Sequence, residues 1–270
     1  MAKSAPILLI GAGRMGGALL KGWLARDIGP LIVVEPNPGK DLLALAKKER
    51  IRVMTAADQA PPRLRACVIA IKPQILRLEA AHLAPIAKTG TLMLSIAAGT
   101  SIATLRKHFG RGARIVRAMP NTPGAIGCGI SSPFAPAAIE PPARKLAEAL
   151  LAPLGETLWV SKETLIDATT AVSGSGPAYV FYLVEALAEA GCAIGLPPLV
   201  AEQLARATVM GAGALLAADP RPPAALRRDV TSPGGTTEAA LGVLMGADGL
   251  APVLRAAVAA ANRRAKELAS

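Results

Sequence analysis

The sequence predicts an α/β N-terminal half joined to an all-α C-terminal domain, and three observations predict it. Short apolar runs ending in glycine or proline alternate with helical stretches over residues 1–160. One of these runs, Ile7–Leu8–Leu9–Ile10, passes directly into a G-x-G-x-x-G pattern at Gly11–Gly16. From about residue 161 the strand pattern stops and only helical stretches remain. Strands alternating with helices give a parallel, doubly wound sheet. The domains expected are therefore 1–160 and 161–270.

Taken in order, the first turn matters because of its setting. A strand, then G-x-G-x-x-G, then a helical pattern through Trp23 and Leu24 is the context in which this motif binds a dinucleotide. Gly11 makes the tight turn, Gly13 lets the backbone approach a pyrophosphate, and Gly16 lets the helix lie close on the sheet. Ala12, Arg14 and Met15 complete the loop, and the helix N-terminus faces the phosphates. The N-terminal domain thus reads as Rossmann-like. The second strand, Leu31–Val34, ends in Glu35, at the offset of a ribose-binding acid. A carboxylate there accepts from ribose hydroxyls and repels a 2′-phosphate, which leans towards NADH. Pro36, Asn37 and Lys40 follow, and Asn37 or Lys40 offers a place for a phosphate, so NADH and NADPH both stay open.

A helix over 40–49 and a strand over 51–54 come next. Ala66–Ile71 then reads as a buried strand ending at Lys72–Pro73, with Ala70 and Ile71 at its mouth. Leu92–Ile96 is another, ending at Ala97–Ala98, and Arg114–Ala118 a third, ending at Met119–Pro120–Asn121. Ligands of such sheets bind beyond the carboxyl ends of the strands, so these ends face one crevice with the glycine loop. Small residues at Ala97 and Ala98 leave room for a flat ring, and Asn121 offers a carboxamide beside it.

In the second half, Leu165–Asp167 begins a helical stretch, Gly174–Ile194 forms a long helix, and further helices follow over 199–218, around Arg227–Arg228, and over 249–268. The long helix is apolar on most faces (Val180, Phe181, Leu183, Val184, Leu187), which one protomer cannot cover, so a dimer through this domain is expected. Between the last helices lies Asp229–Thr237, a tight turn opening a helix. Pro233 suits the first helical position, and Gly234 and Gly235 permit a close approach. Free N–H groups at such a start make an anion site.

Composition excludes several classes. With 52% hydrophobic residues and a mean hydropathy of +0.41 the chain is globular rather than disordered. Cys67, Cys128 and Cys192 are far apart and only two histidines are present, so no metal is expected and a cytoplasmic setting is. His82 and His108 read as structural. No apolar run matches a membrane span. The net charge of +11 raises nucleic acid as a partner, but the basic clusters lack interleaved aromatics for base stacking, and none is expected.

A nicotinamide domain joined to a helical domain points to reduction of a C=O or C=N bond. The long helix has no lysine to protonate a carbonyl oxygen, which argues against a hydroxyacid substrate. An iminium arrives already protonated and needs only hydride.

The chain resembles the pyrroline-5-carboxylate reductase family. The resemblance is carried by Gly11–Gly16, Ala70–Gln74, Ser95–Gly99, Arg117–Pro123, Ser173–Phe181 and Asp229–Thr237, and the last two stretches are the specific ones. It implies reduction of 1-pyrroline-5-carboxylate, a cyclic imine bearing a carboxylate, to L-proline by NADPH or NADH, the last step of proline biosynthesis. It further implies that the backbone N–H groups of Val230, Ser232, Gly235 and Thr237 receive the carboxylate in a loop completed by Gly234 and Thr236. The Thr237 hydroxyl would serve the ring nitrogen as the catalytic contact, and Glu163 would stand near the substrate. The family forms homodimers through the C-terminal helices, with sites borrowing from both protomers, and these can assemble into decamers. Two departures stand out: Glu35 where relatives commonly carry Ser, Asn or Arg, and Ala57 near the place of an adenine-side Asn.

Overall fold

The computed structural model describes residues 5–269, and among them the chain forms eight strands and eleven α-helices. β1 (Ile7–Ile10), α1 (Arg14–Ala25), β2 (Leu31–Val34), α2 (Lys40–Glu49), β3 (Arg52–Met54), β4 (Ala66–Ile69), α3 (Pro73–Lys88), β5 (Leu92–Ser95), α4 (Ile102–Phe109) and β6 (Arg114–Pro120) alternate as the pattern requires. The strands lie in the order β3-β2-β1-β4-β5-β6, every neighbouring pair parallel. Runs of Ile, Leu and Val form these strands because both faces are covered. Ile7, Leu9, Val68, Leu94 and Val116 pack under α1, and Leu8, Ile10, Cys67, Met93 and Ile115 under α3 and α4. Chain order reverses between β1 and β4, and sheets of this kind bind ligands beyond the carboxyl ends of the strands at such a reversal.

The sheet is not parallel throughout, contrary to the expectation from alternation. β7 (Gly129–Phe134) and β8 (Gly155–Thr157) extend it beyond β6, with α5 (Pro141–Leu151) between them. β7 runs antiparallel to β6 because the chain returns over residues 121–128, fewer than the dozen or more that a crossover needs. β8 is parallel to β7, reached through α5. α5 and α1 are tied by the Trp23 indole N–H, which donates to the Leu150 carbonyl at 2.8 Å.

The helical part comprises α6 (Leu165–Thr169), a π-helical turn at Thr170–Gly174, α7 (Gly176–Ala193), α8 (Pro198–Ala218), α9 (Pro223–Asp229), α10 (Thr236–Leu244) and α11 (Leu250–Ala269). The chain divides into two compact units: residues up to Gly174 with those from Asn262 onward, and Ser175–Ala261. α6 clusters with the sheet, held by an ion pair from Asp167 to Arg117 on β6. In the helical unit α7 and α8 pack together at small residues, and a Cβ on Gly191 would lie 3.2 Å from that of Ala201. Among the described residues of this unit, Ala201 and Ala205 are the buried hydrophobics, and α7 has no buried residue at all. No helix among the described residues is long and apolar enough to cross a membrane.

Candidate functional site

Adjacent parallel strands β1, β4, β5 and β6 finish on one edge of the sheet, so they bring Gly11–Gly16, Ala70–Pro73, Ala97–Ala98 and Pro120–Asn121 together along it. Gly11 has φ +87°, the left-handed region that a tight turn demands. At Gly16 a Cβ would stand 2.1 Å from the Gly11 carbonyl oxygen, so α1 reaches the loop only without a side chain there. Gly13 faces open space. It is the N-cap of α1, with no side-chain cap and no acidic residue in the first turn. The first N–H groups of α1 therefore lack internal acceptors and favour an anion. A dinucleotide's pyrophosphate fits this cradle.

Glu35 ends β2 with both carboxylate oxygens engaged. Oε2 accepts from the Ala12 N–H at 3.0 Å and Oε1 from the Asn37 N–H at 3.3 Å. Pro36 and Asn37 are exposed beside it. Lys72 is the exposed N-cap of α3, with Pro73 at the first helical position, and Ile71 packs toward Gly11. Ala97 and Ala98 differ: Ala97 is buried in the core under α3 and α4, and Ala98 is exposed at the edge. The Asn121 Oδ1 accepts from the Ile130 N–H at 2.9 Å, closing the β6–β7 return, which leaves its amino group to donate.

On the helical unit the loop before α10 differs from its expected form. Pro233 is not the first helical residue, because α10 begins at Thr236 with Gly235 as N-cap. Ser232–Gly235 is instead a β-turn, closed by the Gly235 N–H donating to the Ser232 carbonyl at 3.0 Å, with Gly234 at φ +72°. Proline followed by a positive-φ glycine is what a type II turn prefers. Of the four N–H groups expected to receive a carboxylate, that of Gly235 is thus spent in the turn, and that of Val230 turns to Arg228 O. Thr236 and Thr237 open α10, where N–H groups lack helical partners. Glu238 reaches back, its Oε2 accepting from the Gly234 N–H at 2.8 Å, close to the capping-box pattern.

Glu163 lies in the sheet unit. Its Oε1 accepts from the Ile102 N–H at 2.7 Å and from Arg117 Nη1 at 3.0 Å, while Arg117 Nη2 reaches Asp167 at 3.3 Å. Reading the sequence singled out neither Arg117 nor Asp167 as a partner of Glu163. Cys67, buried on β4, has its thiol pushed up to about 12 by burial and is no nucleophile.

Two family models match. One described as pyrroline-5-carboxylate reductase dimerisation covers residues 163–268, and one described as NADP oxidoreductase coenzyme F420-dependent covers residues 6–99. A pyrroline-5-carboxylate reductase from Pseudomonas aeruginosa is 38% identical over 264 residues, 97% of this chain and 96% of that protein. One from Synechocystis is 40% identical over 263 residues, covering 96% of this chain and 97% of that protein. A solved pyrroline-5-carboxylate reductase from Coxiella burnetii superposes with a TM-score of 0.91 at 34% identity, over 99% of this chain and all of that one. One from Plasmodium falciparum, solved with NADP bound, gives 0.82 at 26% identity, over 99% of each.

Proposed function

The chain belongs to the pyrroline-5-carboxylate reductase family, and from that membership we propose how its two units divide the work of reducing 1-pyrroline-5-carboxylate to L-proline. The observation that carries the proposal is a pair of helix starts, one on each unit. α1 follows a glycine loop shaped for a pyrophosphate. α10 opens behind a compact, exposed turn, and we assign it the substrate carboxylate. Val230, Ser232, Gly234, Gly235, Thr236 and Thr237 form this turn. The N–H groups of Ser232, Thr236 and Thr237 are the donors that fit best, since those of Val230 and Gly235 are engaged within the loop.

The nicotinamide, when bound, supplies hydride. The chain's own residues hold and orient what receives it. Gly11–Gly16 carries the diphosphate. Ala70–Pro73, Ala98 and Asn121 line the strand ends where the ring would lie, with Ala97 beneath in the core. The Thr237 hydroxyl oxygen accepts from the protonated ring nitrogen and so fixes which carbon is presented. No side chain need deliver a proton before hydride arrives, which fits an α7 without lysine. Mixing the protein with racemic pyrroline-5-carboxylate and each reduced nicotinamide, and following cofactor absorbance, tests the reading. Absence of oxidation with both would sink it. For Thr237→Ala the expected loss in kcat/KM corresponds to about 1–3 kcal/mol, one hydrogen bond to a charged group. An unchanged kcat/KM would remove Thr237 from the mechanism.

We infer a preference for NADH. Glu35 puts a negative charge at the end of β2 and already occupies the Ala12 and Asn37 N–H groups that a 2′-phosphate would seek. Glu35→Ser is expected to raise the NADPH-to-NADH ratio of kcat/KM about tenfold, roughly one screened charge–charge contact. Steady-state kinetics with both nucleotides decide this, and a constant ratio would mean that Glu35 does not face the ribose. The three cysteines are unpaired, which fits a reducing cytoplasm. We further infer a dimer as the working assembly, with the decamer as its larger form.

A further inference from the structure

Arg117 is the buried charged side chain among the described residues, 4% exposed. An arginine taken out of water is costly unless paired, and removing one partner leaves the other charge uncompensated. Here the partners are two carboxylates, Glu163 at 3.0 Å and Asp167 at 3.3 Å. One positive and two negative charges leave an excess carboxylate. Part of that excess is met by the N-terminus of α4, since Glu163 Oε1 also accepts from the N–H of Ile102, the first residue of that helix, at 2.7 Å. Ser101 caps the same helix from within, its Oγ accepting from the Thr104 N–H at 3.1 Å. Glu163 is a second cap, supplied from 61 residues away.

This arrangement brackets one loop. Arg117 is the register partner of Ser95, the last residue of β5. Ile102 is where α4 resumes. Between them run Ile96–Ser101, including Ala97 and Ala98. The loop is thus held at its start by the strand pairing of Arg117 and at its end by the carboxylate that Arg117 orients. Within it, the Ala97 N–H also donates to Ser95 Oγ at 3.3 Å.

We propose that Glu163, oriented by Arg117, is a positioning residue that sets the β5–α4 loop for the nicotinamide ring, and that its action on the substrate is indirect. The proposal rests on the reading above that Ala98 lies beside that ring. A hydrogen-bond acceptor is what Ile102 requires, so an amide at position 163 retains much of the effect and a methyl group loses it.

The test measures NADH binding without substrate, by fluorescence titration, alongside ADP-ribose, which occupies only the glycine-loop end. Glu163→Ala is expected to weaken NADH about tenfold, the loss of one charge-assisted hydrogen bond, and to leave ADP-ribose unchanged. Glu163→Gln is expected to recover most of the NADH affinity. Unchanged ADP-ribose binding also establishes that the sheet unit is folded. Glu163→Ala protein that binds NADH normally but shows a raised KM for pyrroline-5-carboxylate overturns the proposal in favour of direct substrate contact. Glu163→Gln as weak as Glu163→Ala also overturns it. Ala98→Leu separates the two levels: intact NADH affinity in that variant sinks the placement of the loop, whereas a weakened Ala98→Leu beside an unaffected Glu163→Ala sinks only the role of Glu163.

Discussion

The Phe181→Asp protein is expected to lose its homo-oligomeric state and, with it, much of the helical unit. α7 is eighteen residues long and buries none of them within one chain. Phe181 is 62% exposed and Tyr182 70%, values foreign to the surface of a self-sufficient unit. A cavity of about 890 Å³ between α7 and α8 is lined largely by apolar side chains, Val180, Phe181, Val184, Val209 and Met210 among them. With two alanines as its buried hydrophobics, Ser175–Ala261 has almost no core of its own, and the family's dimerisation segment spans it. On the proposed dimer, its core is completed by a second copy. In a two-fold interface each substitution occurs twice. Loss of phenylalanine burial removes about 2–3 kcal/mol per copy, and an unpaired buried carboxylate adds about 3–5 kcal/mol. Light scattering should find the variant monomeric or aggregated, with reduced helical circular dichroism. The wild-type Tm should rise with protein concentration, as mass action requires. An oligomeric variant with full helicity would show that α7 faces solvent.

Much of the sheet was legible because its signals are local. Short, largely apolar runs at Ile7–Ile10, Leu31–Val34, Ala66–Ile71 and Leu92–Ile96 mark β1, β2, β4 and β5, and the doubly wound rule then places their ends together. β7 carries no such signal, because its residues are Gly-Ile-Ser-Ser-Pro-Phe, with Ser131 and Ser132 buried, a composition that reads as a loop. Alternation of strand and helix says nothing about a short return, so the antiparallel pairing of β7 with β6 has no signature in that pattern. The unpartnered faces of α7 were visible as apolar residues all round. The site was legible unevenly. Backbone roles at Gly11 and Gly16 follow from glycine's missing Cβ. Roles defined by a distant partner do not: Glu35 with Ala12, Asn121 with Ile130, and above all Arg117 with Glu163 each need the tertiary fold. An arginine between Val116 and Ala118 carries no sign that it is buried. The substrate role expected of Asp229–Thr237 rests on resemblance, since a proline–glycine turn before a helix is common on its own.

Gly16→Ala is the substitution expected to damage the cofactor site most, for a reason confined to one atom. The added Cβ would fall 2.1 Å from the Gly11 carbonyl oxygen and 3.2 Å from the Ala70 Cβ. The first obstacle is backbone in a positive-φ turn, which cannot swing aside as a long side chain can. α1 must therefore lift from the strand ends by about 1 Å to restore van der Waals contact, and over-packing of this kind costs about 1–3 kcal/mol of stability. The larger effect is on binding, because lifting α1 withdraws its N–H groups from the pyrophosphate. Losing about two charge-assisted hydrogen bonds, at about 1.5 kcal/mol each, costs roughly 100-fold in affinity. Both NADH and ADP-ribose should weaken by about that factor, unlike the selective loss expected at Glu163. Gly17→Ala is the control, since its Cβ would come no nearer than 3.4 Å to the Ala12 oxygen. There an alanine inside a helix is expected to stabilise by about 0.5–1 kcal/mol. Nucleotide titration and thermal unfolding of the two variants decide between contact and composition. If Gly16→Ala binds ADP-ribose as tightly as Gly17→Ala, the close approach of α1 to the loop is not what holds the diphosphate.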